Sequence, residues 1–261
     1  MEGFRALNMP RGATVMSEAV YDLHMFVLTI CIIIGIVVFG VMAYSIYAHR
    51  KSRGVVPAKF SHSNALEVVW TVVPFAILLV MAVPAVRTLL ALEDTSAAEM
   101  TVKVTGYQWF WEYEYMDGDA EGVAFYSSLD RRSDRARGLR SDLSPREVDN
   151  YLREVDNPLV LPTDTRIRFL LTSNDVIHSW WVPEFGWKKD TIPGFINEAW
   201  VEIKEPGTYR GACAELCGRD HAFMPVVVVA KEPEDYRQWV AGRSDTSDHG
   251  ATVAGREREE P

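Results

Sequence analysis

Two long uncharged runs occupy the first third of the chain, and short alternating runs occupy most of the rest. Residues 25–48 carry no charged side chain. At about 1.5 Å of helical rise per residue, such a run crosses a hydrocarbon layer of roughly 30 Å. A second uncharged run covers residues 68–86. Its Pro74 and Pro84 would kink a helix, but membrane helices tolerate that. The pattern predicts a helical hairpin over 21–94, with spans at about 25–48 and 68–90 and a link at 49–66. Two buried helices of a soluble core are the alternative, and no other segment is apolar enough to surround them.

Beyond residue 95 the period changes to two. Tyr107, Trp109, Trp111, Tyr113 and Tyr115 alternate with Gln108, Phe110, Glu112 and Glu114, which places the aromatics on one face of a single strand. Ile167, Phe169 and Leu171 alternate in the same way, as do Ala199, Val201 and Ile203. Residues 225–230 read as a buried strand. Short strands separated by Gly and Pro predict an all-β sandwich or barrel over 95–241. Ser144, Pro145 and Glu147 form a capping box, and Val148, Tyr151, Leu152 and Val155 follow at helical spacing, so a helix is expected there. The charged stretch 130–140 reads as an exposed loop. A short helix is expected at 234–240, and the polar tail 242–261 reads as disordered.

Charge orients the hairpin. The link carries His49, Arg50, Lys51, Arg53, Lys59 and His62 and no acid, so the positive-inside rule makes it cytoplasmic. The N-terminal segment 1–20 and the β-domain then face a periplasm-like space. Residues 1–20 show no apolar core of a signal peptide. The net charge is −9, and with the basic link on the other side the exported part is more acidic still. An acidic face favours a basic partner and argues against nucleic acid.

The chemistry concentrates in Cys213-Ala-Glu215-Leu-Cys217-Gly-Arg-Asp-His221-Ala-Phe-Met224. Thiols, imidazole and thioether suit a soft or borderline metal. These ligands converge only if the loop turns back, which Gly211 and Gly218 permit. A further strong ligand must come from elsewhere. His249 lies in the polar tail, whereas His178 follows a strand in an aromatic setting, so His178 is the candidate. Zinc accepts two Cys and two His but has no use for Met224. A single blue copper wants one thiolate, two imidazoles and a long thioether, and this loop has one thiolate too many. Two thiolates, two imidazoles and a thioether suit a pair of coppers bridged by both sulfurs. A Cys213–Cys217 disulfide is the plain alternative in an oxidising compartment, and it leaves His221 and Met224 unexplained. Cys31, inside the first span, reads as a packing residue.

The motif CAELCGRDHAFM, with IHSWWVP and GYQWFWEYEY upstream and a hairpin ending LEVVWTVVP, resembles subunit II of bacterial haem–copper (aa3-type) cytochrome c oxidase. The likeness runs from about Tyr21 to Trp239. It implies a two-helix N-terminal transmembrane hairpin followed by an all-β cupredoxin-like Greek-key barrel that holds the binuclear copper centre CuA. Cys213 and Cys217 would then bridge both coppers. His178 and Met224 would complete one, and His221 with the carbonyl of Glu215 the other. The Glu215 side chain would reach a magnesium ion at the boundary with subunit I.

The same resemblance makes Trp109 the electron-entrance tryptophan, with Trp111 close by. It makes Glu112, Glu114, Asp117, Asp119, Glu121 and Asp175 a docking face for cytochrome c, although Asn174 stands where some members have an acid. Glu67 matches a glutamate at the mouth of a proton pathway into subunit I, and Asp190 falls in a subunit-contact segment. The expected setting is the lipid bilayer of a bacterial inner membrane, with electrons passing from cytochrome c to haem in subunit I for reduction of oxygen. The chain departs from compact members at about 117–157, where it is longer. Rival readings are subunit II of a quinol oxidase, which lacks the cysteines, and a membrane-anchored copper carrier, which needs exposed and exchangeable ligands.

Overall fold

The computed structural model describes residues 8–56, 59, 61–139 and 141–244. The chain divides into two compact units, one holding the long helices and one holding residues 12–16 and everything from Glu93 onward.

In the first unit, α1 (Val15–Ala48) has 34 residues and α2 (Asn64–Glu93) has 30. Both are apolar and long enough to cross a membrane. Each exceeds the uncharged run that announced it, because interfacial turns carry polar residues such as Glu18 and Glu67 that hydropathy alone leaves out. Pro74 and Pro84 lie inside α2 without ending it. No residue of α2 is buried, and large apolar side chains of both helices are exposed, as with Phe39 at 71 %. This excludes the buried soluble-core alternative, since only lipid or a partner helix makes such a surface favourable. In the basic link, Arg50 and Arg53 lay their guanidinium groups over the Tyr47 ring at 5.2 and 4.6 Å.

The second unit is a sandwich of two five-stranded sheets. One has the order β3-β2-β1-β5-β8 and the other β4-β10-β9-β6-β7. The strands are β1 (Met100–Tyr107), β2 (Phe110–Tyr115), β3 (Ala124–Ser127), β4 (Leu159–Pro162) and β5 (Arg166–Ser173). They continue as β6 (His178–Trp181), β7 (Lys188–Thr191), β8 (Asn197–Glu202), β9 (Gly207–Cys213) and β10 (Pro225–Lys231). The chain crosses repeatedly between sheets, and β1–β5 and β4–β10 pair in parallel. This is the cupredoxin-like all-β fold the resemblance implies. Its core packs Trp111, Tyr113 and Tyr115 of β2 against Phe169, Trp180 and Phe185. A final helix, α4 (Pro233–Ser244), packs Tyr236 and Val240 onto that core. Residues 1–7 and 245–261, most of the expected tail, lie outside the described residues.

Three local expectations are corrected. The aromatic run 107–115 is not one strand: it folds into the β1–β2 hairpin, with Tyr107 opposite Phe110. Trp111, Tyr113 and Tyr115 do share a buried face, while Tyr107 stacks on Phe110 at 4.9 Å. The capping box at Ser144 forms, but it closes only a single 3-10 turn, Pro145–Glu147. Downstream, Asn150 and Leu152 take positive φ values of 52° and 60°, and the Leu152 N–H donates to Ser133 Oγ at 3.2 Å rather than to a helical carbonyl. Finally, the charged stretch is not a plain loop. It contains α3 (Arg131–Ala136), capped by the Asp130 carboxylate, with Ser133 and Ala136 buried.

Candidate metal centre

One half of the site is built on strands. β6 lies beside β9, with Trp180 opposite Cys213 and Trp181 opposite Ala212. The strands approach closely because residue 211 has no side chain: a Cβ on Gly211 would lie 1.8 Å from the Trp181 carbonyl oxygen. Gly211 therefore serves strand approach, not the loop reversal expected of it. His178, the first residue of β6, is fully buried. Its ring packs on Gly106 of β1, where a Cβ would meet His178 Cδ2 at 2.8 Å. His178 Nδ1 lies 3.9 Å from Cys213 Sγ, and Nε2 lies 2.8 Å from Asp175 Oδ1. Asp175 is itself fixed by N–H donors from Gln108 and Val176 at 2.7 and 2.6 Å.

The other half is a loop. Gly218, at φ 121°, supplies the reversal after Cys217, and a 3-10 turn spans His221–Phe223. This returns Met224 beside Cys213, whose N–H donates to the Met224 carbonyl at 3.2 Å. The sulfurs of Cys213 and Cys217 are 3.8 Å apart and unbonded, so no disulfide joins them. Cys217 Sγ lies 3.5 Å from His221 Nδ1 and 3.5 Å from Met224 Sδ. The Glu215 carbonyl oxygen is 3.3 Å from Cys213 Sγ.

These spacings fit a metal. With metal–sulfur bonds near 2.3 Å and metal–nitrogen bonds near 2.0–2.1 Å, the edges of a tetrahedron are roughly 3.5–3.8 Å. The ligand atoms of His178, Cys213 and Cys217 all lie within 4.8 Å of one another, and His221 and Met224 reach the Cys217 side. The electrostatics agree. Burial pushes the Cys213 thiol up, but hydrogen bonds with His178 and with the backbone of Ser179 and Glu215 outweigh it and leave the thiol below its ordinary value. Cys217 is pushed up to about 12 by burial and by the neighbouring Cys213 charge. Two thiolates 3.8 Å apart repel by roughly 4 kcal/mol at an effective dielectric near 20. Bound cations remove that repulsion. The donors are soft sulfur and imidazole, which suits copper.

Around the ligands, Trp109 is half-buried, and its Nε1–H donates to the Cys217 carbonyl at 3.3 Å. Gln108 Nε2 donates to the same oxygen at 2.8 Å. Gly218 makes room for both, since a Cβ there would lie 3.0 Å from Gln108 Nε2 and 3.1 Å from Trp109 Cζ2. Trp111 has no exposed surface and packs 5.9 Å from the His178 ring, so of the two tryptophans only Trp109 reaches the surface.

The six acids suggested by the sequence do not form one cluster. Glu112 accepts from the Tyr107 hydroxyl near the metal end of β2, and Glu114 pairs with Lys103. Asp117 accepts the Thr101 N–H, and Asp119 lines a surface hollow with Tyr236 and Arg237 at the far end of the strand. Asp175 is engaged with His178. Asp134, Asp156 and Asp220, which sequence patterning passed over, line a cleft of about 390 Å³ beside Trp109 together with Arg131 and Arg137, and Arg137 pairs with both Asp134 and Asp220. Glu215 projects its side chain into solvent. Glu67 lies in the first turn of α2. Asp190 lies on β7 opposite Ser179.

Family models match both units. Residues 100–231 match the periplasmic domain of cytochrome c oxidase subunit II, and residues 4–88 match the transmembrane domain of the same subunit. The probable cytochrome c oxidase subunit 2 of Rickettsia prowazekii is 38 % identical over 238 residues, which cover 91 % of this chain and 72 % of that protein. The corresponding protein of Rickettsia felis is 37 % identical over 241 residues, with coverages of 92 % and 72 %. Among solved structures, the periplasmic domain of subunit II of the Bradyrhizobium japonicum cytochrome oxidase is 35 % identical. It spans 59 % of this chain and 99 % of that one, with a TM-score of 0.49.

Proposed function

This chain belongs to the cytochrome c oxidase subunit II family, and from that premise we propose that it is the subunit that receives electrons from cytochrome c at a binuclear copper centre. It is a membrane-anchored subunit of the oxidase. The observation that carries the proposal is the convergence of Cys213, Cys217, His178, His221, Met224 and the Glu215 carbonyl at coordination-edge spacings. Those residues would hold a pair of coppers, which when bound accept and release one electron at a time. Asp175 keeps a proton on His178 Nε2 and so turns the Nδ1 lone pair toward the sulfurs. Buried Trp111, Trp180 and Met224 exclude water from the sulfurs, which leaves few mobile dipoles to reorganise on electron transfer. Trp109 links the surface to a ligand backbone through its hydrogen bond to Cys217, which suits it as the electron entrance. Glu112, at the metal end of β2, would help steer a basic donor toward it.

The remaining assignments follow from the family. Electrons would pass to haem in subunit I, where oxygen is reduced to water with proton translocation. The Glu215 carboxylate, exposed beside the ligands, is suited to magnesium at the subunit I boundary. Glu67, at the cytoplasmic end of its span, would stand at the mouth of a proton pathway, and Asp190 would contact subunit I. With the basic link on the cytoplasmic side, the β-domain would face the periplasm from a bacterial inner membrane.

The test is metal analysis with electron paramagnetic resonance on the purified chain. Two copper ions and a mixed-valence spectrum of seven hyperfine lines are expected, because the unpaired electron is shared by two equivalent nuclei of spin 3/2. Stoichiometric zinc, or a single copper with four lines, rules the proposal out.

A further inference from the structure

The inserted segment lies against the ligand loop. Arg137, the residue after α3, points its guanidinium at both ends of the turn that carries His221. Its Nη1 lies 3.5 Å from Asp220 Oδ1, one residue before His221. Its Cζ lies 4.4 Å from the centre of the Phe223 ring, one residue before Met224, inside the range of an effective cation–π contact. The Asp220 side chain is only 17 % exposed, so solvent screens this pair less than it would a surface bridge.

Arg137 is itself held in place. Its Nε donates to Asp134 Oδ1 at 2.7 Å, and its N–H donates to the Ser133 carbonyl at 3.1 Å. Asp130 caps α3, and the buried Ser133 hydroxyl accepts the Leu152 N–H from the far side of the insertion. A second tie runs from the same insertion to the strand half: Glu154 Oε2 accepts from Arg210 Nη2 at 2.7 Å, three residues before Cys213. The loop's own turn hydrogen bonds, His221 N–H to Gly218 at 3.3 Å and Phe223 N–H to Asp220 at 2.9 Å, are local and do not anchor it to the domain.

We propose that Arg137 is a positioning residue for the metal centre, a latch that holds the 217–224 loop over the sulfurs through Asp220 and Phe223. This rests on the copper reading for its purpose, but the latch itself is a property of the metal-free chain. Its role is to slow loop opening, and with it metal loss and access to Cys217.

Two measurements on the full chain in detergent test it. In the first, copper-loaded protein is mixed with excess chelator and the decay of the copper spectrum is followed. Arg137→Ala should lose copper roughly tenfold faster than the parent, by analogy with other partners that orient metal ligands. Arg137→Lys should recover part of that, because an ammonium can reach Asp220 but cannot stack as a plane on Phe223. Arg135→Ala, whose partner Asp142 is on the exposed side of the insertion, should match the parent. In the second, metal-free protein is treated with an aromatic disulfide reagent, and Cys217 should react several-fold faster in Arg137→Ala. If Arg137→Ala matches the parent in both, or Arg135→Ala moves as far, the latch is overturned. If Arg137→Ala fails to fold, Asp220→Asn is read instead, and an unchanged thiol rate there overturns the latch equally. A parent chain that binds no copper pair would overturn the proposed function, while the thiol rates would still decide the latch.

Discussion

His178 and Cys213 sit on paired neighbouring strands, buried in the sandwich, whereas Cys217, His221 and Met224 sit on or at the end of a loop with a single 3-10 turn. The strand half is held by sheet hydrogen bonds, by the close approach at Gly211, by packing on Gly106 and by the Asp175 carboxylate. The loop half is held by the left-handed Gly218, by Trp109 and Gln108 on the Cys217 carbonyl, and by Arg137. One half inherits its geometry from the fold, and the other must be fastened from outside. The difference teaches that two sulfurs can be kept 3.8 Å apart by pinning only one of them rigidly. The second needs an attachment that resists opening of the loop.

The largest effect should come from Cys213→Ala, which removes the sulfur that joins the halves. Copper content should fall to one ion or none, and the seven-line spectrum should vanish, as metal analysis and resonance spectroscopy would show. An intact spectrum would mean that the loop half binds copper alone.

Gly106→Ala attacks the strand half by overpacking, because its Cβ would press on the His178 ring at 2.8 Å. A loss of about 1–3 kcal/mol of stability is expected, together with a distorted copper spectrum. Calorimetry and spectroscopy on one sample would check both, and an unchanged spectrum would show that the strand half yields as readily as the loop.

Asp175→Asn leaves the packing intact and removes the charge behind His178. Copper affinity should drop roughly 10–100-fold, measured by chelator competition. The same variant should change how the stability of the metal-free chain depends on pH. For His178, burial alone would lower the pKa, but hydrogen bonds with Cys213 and Asp175 outweigh it and raise the value. That contribution is complete below about pH 6.5, the ordinary histidine value, and is lost as pH rises through the folded value. For Asp175, burial is outweighed by hydrogen bonds from His178, Val176 and Gln108, which leaves its carboxyl below the ordinary carboxylate range. Its contribution is present above about pH 3.9 and is lost as pH falls through the folded value. Melting temperature should therefore hold up between about pH 4 and 6.5 and decline above. Asp175→Asn should flatten that decline, and an equal decline in both would place its origin elsewhere.

The smallest effect on the centre should come from Trp109→Phe. It removes one donor to the Cys217 carbonyl while Gln108 keeps the other, so copper content and spectrum should persist. Stopped-flow reduction by cytochrome c should slow markedly. Unchanged reduction kinetics would move the electron entrance away from Trp109.

The membrane hairpin was legible because hydrophobic runs of spanning length have few other uses. The candidate donors were legible because sulfur and imidazole crowded into twelve residues rarely serve packing alone, and folding brings those of Cys213, Cys217, His221 and Met224 together with His178. The segment 128–157 was not. Val148, Tyr151, Leu152 and Val155 have helical spacing, yet Val155 bridges to Leu129 and Leu152 turns to Ser133. Those long-range hydrogen bonds replace the helical ones that the spacing predicts. α3 was hidden because its buried face consists of Ser133 and Ala136, too little apolar surface to register as a period.

Asp175 shows the same boundary at one residue. In sequence it is an acid three positions before a histidine, indistinguishable from a solvated or docking carboxylate. Folded, its oxygen is 2.8 Å from the imidazole of His178, a candidate metal ligand. The amino-acid sequence by itself determined which chemistry is available: the soft donors, the spans, their charge asymmetry and the all-β period. Only the tertiary structure decided which donors meet, which acids serve ligands rather than solvent, and what closes the loop. Composition and periodicity depend on neighbours along the chain, whereas a coordination edge of 3.5 Å depends on residues that only folding brings together.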